Sequence, residues 1–161
     1  MKVKVYLGAY APSSPHRVID LAKTAYSFNF IEGFIVIKPA GLAAQTGVPE
    51  AFKLAYRQSK PFFVLPSLKD LKEVLGIELL VFILQSRKEG PDLTDVLKNA
   101  TANSIAIIVQ AGETPIPKEE MALGAPAKIN EMNPNFSPNP VAEATAALLK
   151  LVSFLDQQET H

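Results

Sequence analysis

The sequence has 161 residues, of which 48% are hydrophobic and 20% are charged. This size and composition favour one compact domain over residues 1–161 and exclude a largely disordered or low-complexity chain. The lack of cysteine excludes disulfides, thiolate metal ligands and cysteine nucleophiles. Because His16 and His161 are the only histidines, a His-rich metal centre or a Ser-His-Asp triad is hard to build, and we expect no metal site.

The sequence also predicts where the protein works and which partners suit its charge. A signal peptide has an apolar stretch after a basic start, and this sequence does not show that pattern. The longest apolar runs, such as residues 79–84, fall well short of the roughly 18–20 residues that span a bilayer. We therefore expect a cytoplasmic protein without a membrane segment. Residues 1–60 hold 8 basic and 3 acidic side chains, a net +5, whereas residues 61–161 hold 8 and 13, a net −5. The first third could therefore face phosphate groups.

Apolar segments of strand length alternate with helical segments along the whole chain, a pattern typical of a parallel sheet. The continuous apolar run near residues 77–84 indicates a strand buried on both faces, which requires helices on both sides of the sheet. The predicted fold class is therefore α/β, with three layers and a mainly parallel six-stranded sheet. The predicted strands are residues 3–7, 33–37, 62–65, 77–84, 104–109 and 127–132. The first predicted helix begins at Pro15. The other predicted helices cover residues 49–59, 68–75, 93–100, 118–123 and 140–157.

The last predicted helix, residues 140–157, is apolar around more of its circumference than one packing partner requires. One side can pack on the sheet, and a second subunit is the simplest cover for the other side. We therefore expect a homodimer that packs through this helix. The alternative is that the proline-rich loop before the helix folds over its second side, although that loop is mostly polar.

Two loops at predicted strand ends could form a ligand pocket, because open α/β sheets bind ligands at that edge. Residues 111–117 include Gly112, which permits close backbone approach, and two prolines that stiffen the loop. Residues 133–140 are also rich in proline, and Ser137 or Asn139 could cap the helix that follows. A rigid loop loses little entropy when a ligand docks.

Three blocks of the sequence, in order, resemble the motifs of the SPOUT (α/β-knot) RNA methyltransferases. The first block is the helix at residues 15–28 with the strand at 33–37. The second is residues 107–113, followed by Ile116, Pro117 and Glu120. The third is the strand at 128–132 with the loop and alanine-rich helix start at 137–142. Within that class the chain is similar to an uncharacterised archaeal group sometimes described as RecB-family nucleases.

The resemblance implies a C-terminal trefoil knot, a homodimer through the last helix, and S-adenosylmethionine bound by the knot loops. It implies catalytic roles for Lys23 and Arg17, which stand where ribose methyltransferases of the class carry Arg and Asn. A lysine is a single point charge and does not grip a phosphate with two parallel donors as arginine does. The residues to which the resemblance assigns cofactor binding are Leu84, Gln85, Ala111, Gly112, Glu113, Ile129, Met132, Asn133 and Ser137.

The function expected from these features is S-adenosylmethionine-dependent methylation of RNA, either tRNA or rRNA, with the ribose 2′-hydroxyl as the first candidate acceptor. Methyl transfer depends mainly on positioning and needs neither cysteine nor metal. One alternative is a module that keeps the fold and binds cofactor or RNA without catalysis, which the residues at positions 17 and 23 would permit. A nuclease built on Asp70, Lys72 and Glu78 is less favoured, because charged residues on a short helix usually face solvent.

Overall fold

The chain folds around one six-stranded sheet, and the computed structural model describes residues 2–84 and 90–159. The strands are β1 (Lys4–Tyr10), β2 (Ile31–Ile37), β3 (Phe62–Leu65), β4 (Leu79–Ile83), β5 (Ser104–Gln110) and β6 (Ala125–Ala127). The helices are α1 (Pro15–Tyr26), α2 (Val48–Gln58), α3 (Lys69–Glu73), α4 (Leu93–Lys98), α5 (Lys118–Met121) and α6 (Pro140–Glu159), with a π-helical turn at Ala43–Gly47 before α2. The predicted six-stranded α/β architecture is confirmed.

The strand order is β3-β2-β1-β5-β4-β6, and every neighbouring pair is parallel. In the central strands, Leu7 lies opposite both Phe34 and Ile107, and all three side chains are fully buried. From β1 the first half of the chain adds strands in one direction, whereas β5 and the strands paired beyond it extend the sheet in the other. The order therefore reverses between β1 and β5, and such switch points are where open parallel sheets form ligand crevices at their carboxyl edge.

The two faces of the sheet are covered unequally. One face carries α1, α2, α4 and α6 over a large core that includes Leu21, Val36 and Leu148. The other face carries the short α3 and α5 over a smaller core that includes Ile35, Leu71 and Phe82. Helices thus lie on both sides, as a central strand with an unbroken apolar sequence requires.

The sixth strand differs from the prediction of residues 127–132. It covers Ala125–Ala127, which pair with residues 81–83 of β4. The next residue, Lys128, leaves β4 and pairs with the start of α4: its amide donates to the Pro91 carbonyl at 3.0 Å, and its carbonyl accepts from the Leu93 amide at 2.8 Å. The alternating apolar pattern of residues 127–132 therefore does not indicate a longer strand. Residues 128–131 form a connecting segment, here called the strap, in which Ile129 is buried.

One side of α6 is buried against the sheet, α1 and α4, through residues such as Ala144, Ala147 and Leu151. The other side is only partly covered, since Leu149 is 52% exposed and Ala146 is half-buried. Residues 135–139 of the preceding loop are themselves exposed. In the part of the chain that the structure describes, no helix combines the length and the apolar character needed to cross a membrane.

Candidate functional site

A cavity of about 600 Å³ opens at the carboxyl edge of the sheet, at the switch point between β1 and β5. The loop after β1 and the first turn of α1 contribute Ser13, Ser14 and Arg17. The ends of β4 and β5 contribute Ile83, Leu84 and residues 110–113. The start of α6 closes the cavity with Pro138, Pro140 and Glu143. Five of the predicted site residues therefore meet here: Arg17, Leu84, Ala111, Gly112 and Glu113.

Gly112 is required by packing inside the protein. A Cβ atom at this position would overlap the carbonyl oxygen of Ala11, in the loop that follows β1. The two strand ends are tied together, because the Ala111 amide donates to the Tyr10 carbonyl at 2.9 Å. Gln110 Nε2 also donates to the Gly112 carbonyl at 3.3 Å. The loop that forms one wall of the cavity is thus held by β1, and its glycine allows that close contact.

Helices α1 and α6 both begin at the cavity, so their N-termini place the positive ends of the two helix dipoles there. Ser14 is the N-cap of α1, and its side chain makes no capping hydrogen bond. At α6 the cap is Asn139, whose Oδ1 accepts from the Ala142 amide at 3.2 Å; of the two predicted caps, the structure shows this one. The first helical turns therefore present partial positive charge toward the cavity, which favours an anionic ligand group there.

The cavity also contains charged side chains of both signs. Arg17 is half-buried, and Glu113 lies in the exposed loop after β5. Glu143 is only 4% exposed and lies in the first turn of α6, where the helix dipole favours a carboxylate. One guanidinium, two helix ends and two carboxylates thus surround the space, an arrangement suited to a ligand that carries both charges.

The other predicted site residues lie elsewhere. Ile129 and Met132 line a separate groove beside α6, with Ala146, Leu149 and Lys150. Asn133 and Ser137 are exposed in the loop before α6, where Asn133 Oδ1 accepts from the Asn135 amide at 2.9 Å. Lys23 is exposed toward the end of α1, about 9 Å along the helix axis from Arg17. Gln85 is outside the described residues. The assignment of all these residues to a site stays a prediction.

Sequence reasoning missed several cavity residues. Ser13, Ser14, Gln110 and Glu143 all line the cavity, whereas Pro138 and Pro140, which also line it, lie in the loop at residues 133–140 that the sequence predicts. Glu143 had a recognisable signal, since it is an acidic residue in the first turn of a helix that begins at Asn139-Pro140. Ser13 and Ser14 had no sequence signal for a place in the cavity, because that place depends on β1 and β5 being neighbours in the sheet.

A polar cluster, the α6 cluster, consists of Asp92, Lys150 and Glu131, of which Asp92 is buried, Lys150 is half-buried and Glu131 is exposed. Lys150 Nζ is 2.9 Å from the Asp92 carboxylate and 2.6 Å from Glu131 Oε1. Asp92 also accepts from the Thr94 amide at 3.0 Å, which caps α4, and from the Asn130 amide at 2.8 Å. Burial alone would raise the pKa of Asp92, but the hydrogen bonds from Lys150 and the two amides outweigh it and lower that pKa. The ion pair raises the pKa of Lys150 against the opposing effect of its burial.

A second polar cluster, the β1 cluster, joins Tyr10, Lys38 and Glu120. Lys38 Nζ lies 3.0 Å from Glu120 Oε1, and the Tyr10 hydroxyl donates to Glu120 Oε2 at 3.1 Å. The ammonium also lies 5.6 Å from the centroid of the Tyr10 ring. The hydrogen bond to Glu120 raises the pKa of Lys38. The cluster ties α5 to the ends of β1 and β2, and so supports the loop that holds Gly112.

The residues considered for a nuclease have other partners. Asp70 Oδ2 accepts from Ser67 Oγ at 3.1 Å, and Lys72 Nζ donates to the Glu78 carbonyl at 3.0 Å. Glu78 Oε2 accepts from the Asn103 amide at 3.2 Å. Within residues 2–84 and 90–159, no three His, Asp or Glu side chains are grouped so that they could hold a metal ion.

Comparison with known proteins identifies the family. Residues 41–150 match the family described as RecB-family nuclease (DUF2122), and the chain belongs to that family. It is 31% identical over 155 residues to an Aeropyrum pernix protein named "Putative type II restriction enzyme ApeKORF2002P", with 94% of this chain and 95% of that protein covered. A similarly named protein of Methanocaldococcus jannaschii is 30% identical over 99 residues, which cover 60% of this chain and 66% of that protein.

Solved structures show that the fold is that of SpoU methyltransferases. The SpoU methyltransferase AviRb from Streptomyces viridochromogenes, in complex with the cofactor AdoMet, matches with a TM-score of 0.68 at 16% identity. The match covers 95% of this chain and 62% of AviRb, so the chain spans less than two thirds of that protein. A structure described as giving insights into the 2-OH methylation of C/U34 on tRNA matches with a TM-score of 0.69 at 16% identity, over 96% and 98% of the two chains.

Proposed function

We propose that the protein binds S-adenosylmethionine in the carboxyl-edge cavity and methylates RNA, either tRNA or rRNA, with the ribose 2′-hydroxyl as the first candidate acceptor. The observation that carries the proposal is the cavity itself. It lies at the switch point of a sheet whose fold is shared with SpoU methyltransferases, and it is lined by five of the residues to which the resemblance assigns site roles. Its volume of about 600 Å³ falls within the range of roughly 300–1,000 Å³ that is usual for ligand pockets.

The charges of the cavity suit this cofactor. The methionine part of the molecule carries a carboxylate, an ammonium and a sulfonium. In the proposal, the carboxylate lies near Arg17 and the first turns of α1 and α6, and the cationic groups lie near Glu113 and Glu143. Bound cofactor would supply an electrophilic methyl group, and the walls of the cavity would orient it toward the acceptor oxygen.

The proposed roles of the two basic residues on α1 follow from their positions. Arg17 reaches the cavity, so it can hold a substrate phosphate or the cofactor carboxylate by two parallel donors. Lys23 is exposed and lies outside the cavity lining. Its proposed role is therefore to neutralise RNA phosphates along α1, rather than to take a proton from the acceptor hydroxyl.

The proposal includes the C-terminal knot and the homodimer. The strap at Lys128, which is hydrogen-bonded to residues 91 and 93, supports a path in which the last segment passes residues 91–93 at the start of α4 before α6 returns to the sheet. The open side of α6 supports a dimer, because Leu149 and Ala146 line an apolar groove with Ile129 and Met132 there. A second copy of α6 would cover this groove.

Calorimetric titration with S-adenosylmethionine tests the proposal. We expect saturable binding by the wild-type protein. Ser14→Trp should weaken it by at least about tenfold, because the ring would enter the cavity from a position whose own side chain makes no capping bond. Val74→Trp is the matched control, since Val74 is 66% exposed at the end of α3 and far from the cavity lining. Equal affinities for the wild type and Ser14→Trp would refute the assigned cavity.

Transfer of labelled methyl groups to bulk RNA separates the enzyme from its alternatives. Binding accompanied by RNA labelling supports the methyltransferase. Binding without labelling supports a cofactor-binding module, whereas no binding removes the cofactor and the reaction together. The second candidate function, a nuclease, is favoured by the family description and by the names of both relatives. It predicts that the protein cleaves DNA or RNA with added Mg²⁺ and that Asp70→Asn abolishes the cleavage.

A further inference from the structure

Helix α2 carries two large aromatic side chains on its outer face. Phe52 is 57% exposed and Tyr56 is 78% exposed, and their ring centroids are 6.3 Å apart with the planes inclined by 33°. The same helix buries Ala51 and Ala55 on its inner side. These two alanines and the partly buried Val48 and Leu54 therefore do the packing, and the two rings stand in solvent one helical turn apart, where core packing does not explain them.

A hollow of about 570 Å³ continues from the two rings around the end of α2, where Pro61 and Phe62 form its far wall. The helix ends there because Ser59 adopts a left-handed conformation with a φ of 53°. Lys60 comes next, and its Nζ donates to the Ile31 carbonyl at 2.8 Å. The hollow thus has an aromatic wall and an anchored ammonium at one end.

The charge of this segment is positive. Residues 48–60 contain three basic side chains and one acidic one, Glu50, which pairs with Lys53 at 3.1 Å. Arg57 is exposed and has no ion-pair partner among the residues that the structure describes. Arg57 and Lys60 therefore leave positive charge without a carboxylate partner just after Tyr56 in the sequence, and Lys60 lines the hollow.

We propose that this aromatic and basic surface, made of Phe52, Tyr56, Arg57 and Lys60, binds single-stranded RNA. Exposed aromatic rings beside cationic side chains are the arrangement by which proteins hold single strands, because bases stack on the rings and phosphates meet the charges. A second copy of this chain fits less well, since a two-fold contact here would bring the positive segment against itself. The choice of RNA over DNA rests on the proposed function; the location of the surface does not.

The surface would act as a substrate-holding site at a distance from the reaction. The π-helical turn before α2 packs against the start of α1, where Gly47 lies close to Pro15 and Val18. The 11 residues of α2 then extend about 16 Å away from that point, so the aromatic rings and the cavity lie toward opposite ends of the α1 and α2 layer. A strand held along α2 would have its next nucleotides directed toward the cavity.

Fluorescence anisotropy with a labelled single-stranded oligoadenylate RNA of about 12 nucleotides tests the surface, since single-strand sites cover roughly 4–16 nucleotides. No cofactor is added, so the outcome is independent of S-adenosylmethionine binding. We expect the double variant Phe52→Ala/Tyr56→Ala to weaken binding by at least about tenfold. Arg57→Gln should weaken it less and should reduce the slope of log affinity against log salt by about 0.7.

The controls separate stacking from loss of apolar surface and from unfolding. Phe52→Leu/Tyr56→Leu keeps apolar area without the rings and should bind as weakly as the alanine pair. Val74→Ala removes a similarly exposed apolar side chain directly after α3 and should bind like the wild type. Circular dichroism checks that each variant is folded, which the exposure of the replaced side chains leads us to expect.

The remaining outcomes distinguish failure of this proposal from failure of the proposed function. No measurable RNA binding by the wild type, or equal affinity in the wild type and the alanine pair, would remove the surface as an RNA site. Equal or tighter binding of single-stranded DNA of the same length would overturn the assignment to RNA. Failure of S-adenosylmethionine binding with retained RNA binding would overturn the proposed function and leave this surface standing.

Discussion

The two polar clusters have the same plan but differ in burial. Each places a lysine between a glutamate and a second acidic or hydroxyl group. In the α6 cluster the side chains of Asp92 and Lys150 are 8% and 20% exposed, whereas in the β1 cluster Lys38 is 41% exposed. Water screens the second pair much more than the first. The contribution of an ion pair to stability therefore depends on its surroundings more than on its N···O distance.

The clusters also join different parts of the fold. The α6 cluster holds three segments far apart in sequence, namely the start of α4, the strap at residues 128–131 and the middle of α6. The β1 cluster joins α5 to the ends of β1 and β2. Because the buried cluster fastens the C-terminal third to the sheet, we expect changes there to affect the whole fold. Changes in the exposed cluster should affect only the neighbouring loop.

Asp92→Ala should have the largest effect on stability. The substitution leaves Lys150 without its buried partner, the Asn130 amide without an acceptor and α4 without its cap. We therefore expect the free energy of unfolding to fall by about 3–5 kcal/mol. Urea unfolding followed by circular dichroism measures this. Asp92→Asn keeps a capping oxygen and should cost less. A loss below about 1 kcal/mol in Asp92→Ala would show that the buried cluster is no more important than the exposed one.

Acid should weaken the α6 cluster through Asp92. Because the folded-state pKa of this residue is lowered, its contribution is fully present above its unfolded pKa of about 3.9 and is lost as the pH falls through the folded value. The urea midpoint should therefore drop below about pH 4. In Lys150→Met the largest of the interactions that lower the pKa of Asp92 is gone, so the folded-state pKa should move up toward or past the unfolded value, and the loss of stability on acidification should become smaller. Identical acid profiles for the two proteins would contradict the assigned coupling.

Lys38→Met should have the smallest effect, with a change in unfolding free energy under about 1 kcal/mol. The ammonium is well exposed, so most of its interaction with Glu120 is screened, and methionine keeps the apolar part of the side chain. The same urea titration detects it, with Lys53→Met as a control on a fully exposed pair. A loss near that of Asp92→Ala would mean that exposure does not separate the two clusters.

Parts of the candidate site could be predicted from local sequence. Gly112 and the residues around it follow β5 directly, and the end of an apolar strand in an alternating chain is a recognisable place for a ligand loop. The resemblance assigns Ile129 and Met132 to cofactor binding, in the segment where the sequence predicts the sixth strand. The strap at Lys128 instead turns these residues toward α6, and no local pattern reports hydrogen bonds to residues 91 and 93.

Gly112 also shows the difference between what local sequence suggests and what the tertiary structure decides. Its position in a loop suggested room for a ligand, but the structure shows that the missing side chain makes room for the Ala11 carbonyl. Likewise, Lys23 and Arg17 lie on one helix at a spacing of six residues, yet only Arg17 reaches the cavity. Local sequence identified the helix. The position of its first turn, which lines the cavity together with residues 110–113, decided that Arg17 and not Lys23 reaches the cavity.

By itself, the sequence determined the order of strands and helices, the parallel α/β class and the apolar character of α6, because each depends on periodicity and propensity within about 20 neighbouring residues. The tertiary structure alone decided that β1 and β5 are neighbours, that the starts of α1 and α6 meet over their ends, and that Asp92 lies beside Lys150. These contacts join residues 58 to about 130 positions apart, so no local pattern encodes them. They form because burying both faces of the sheet and pairing its polar groups leaves the chain few other ways to fold.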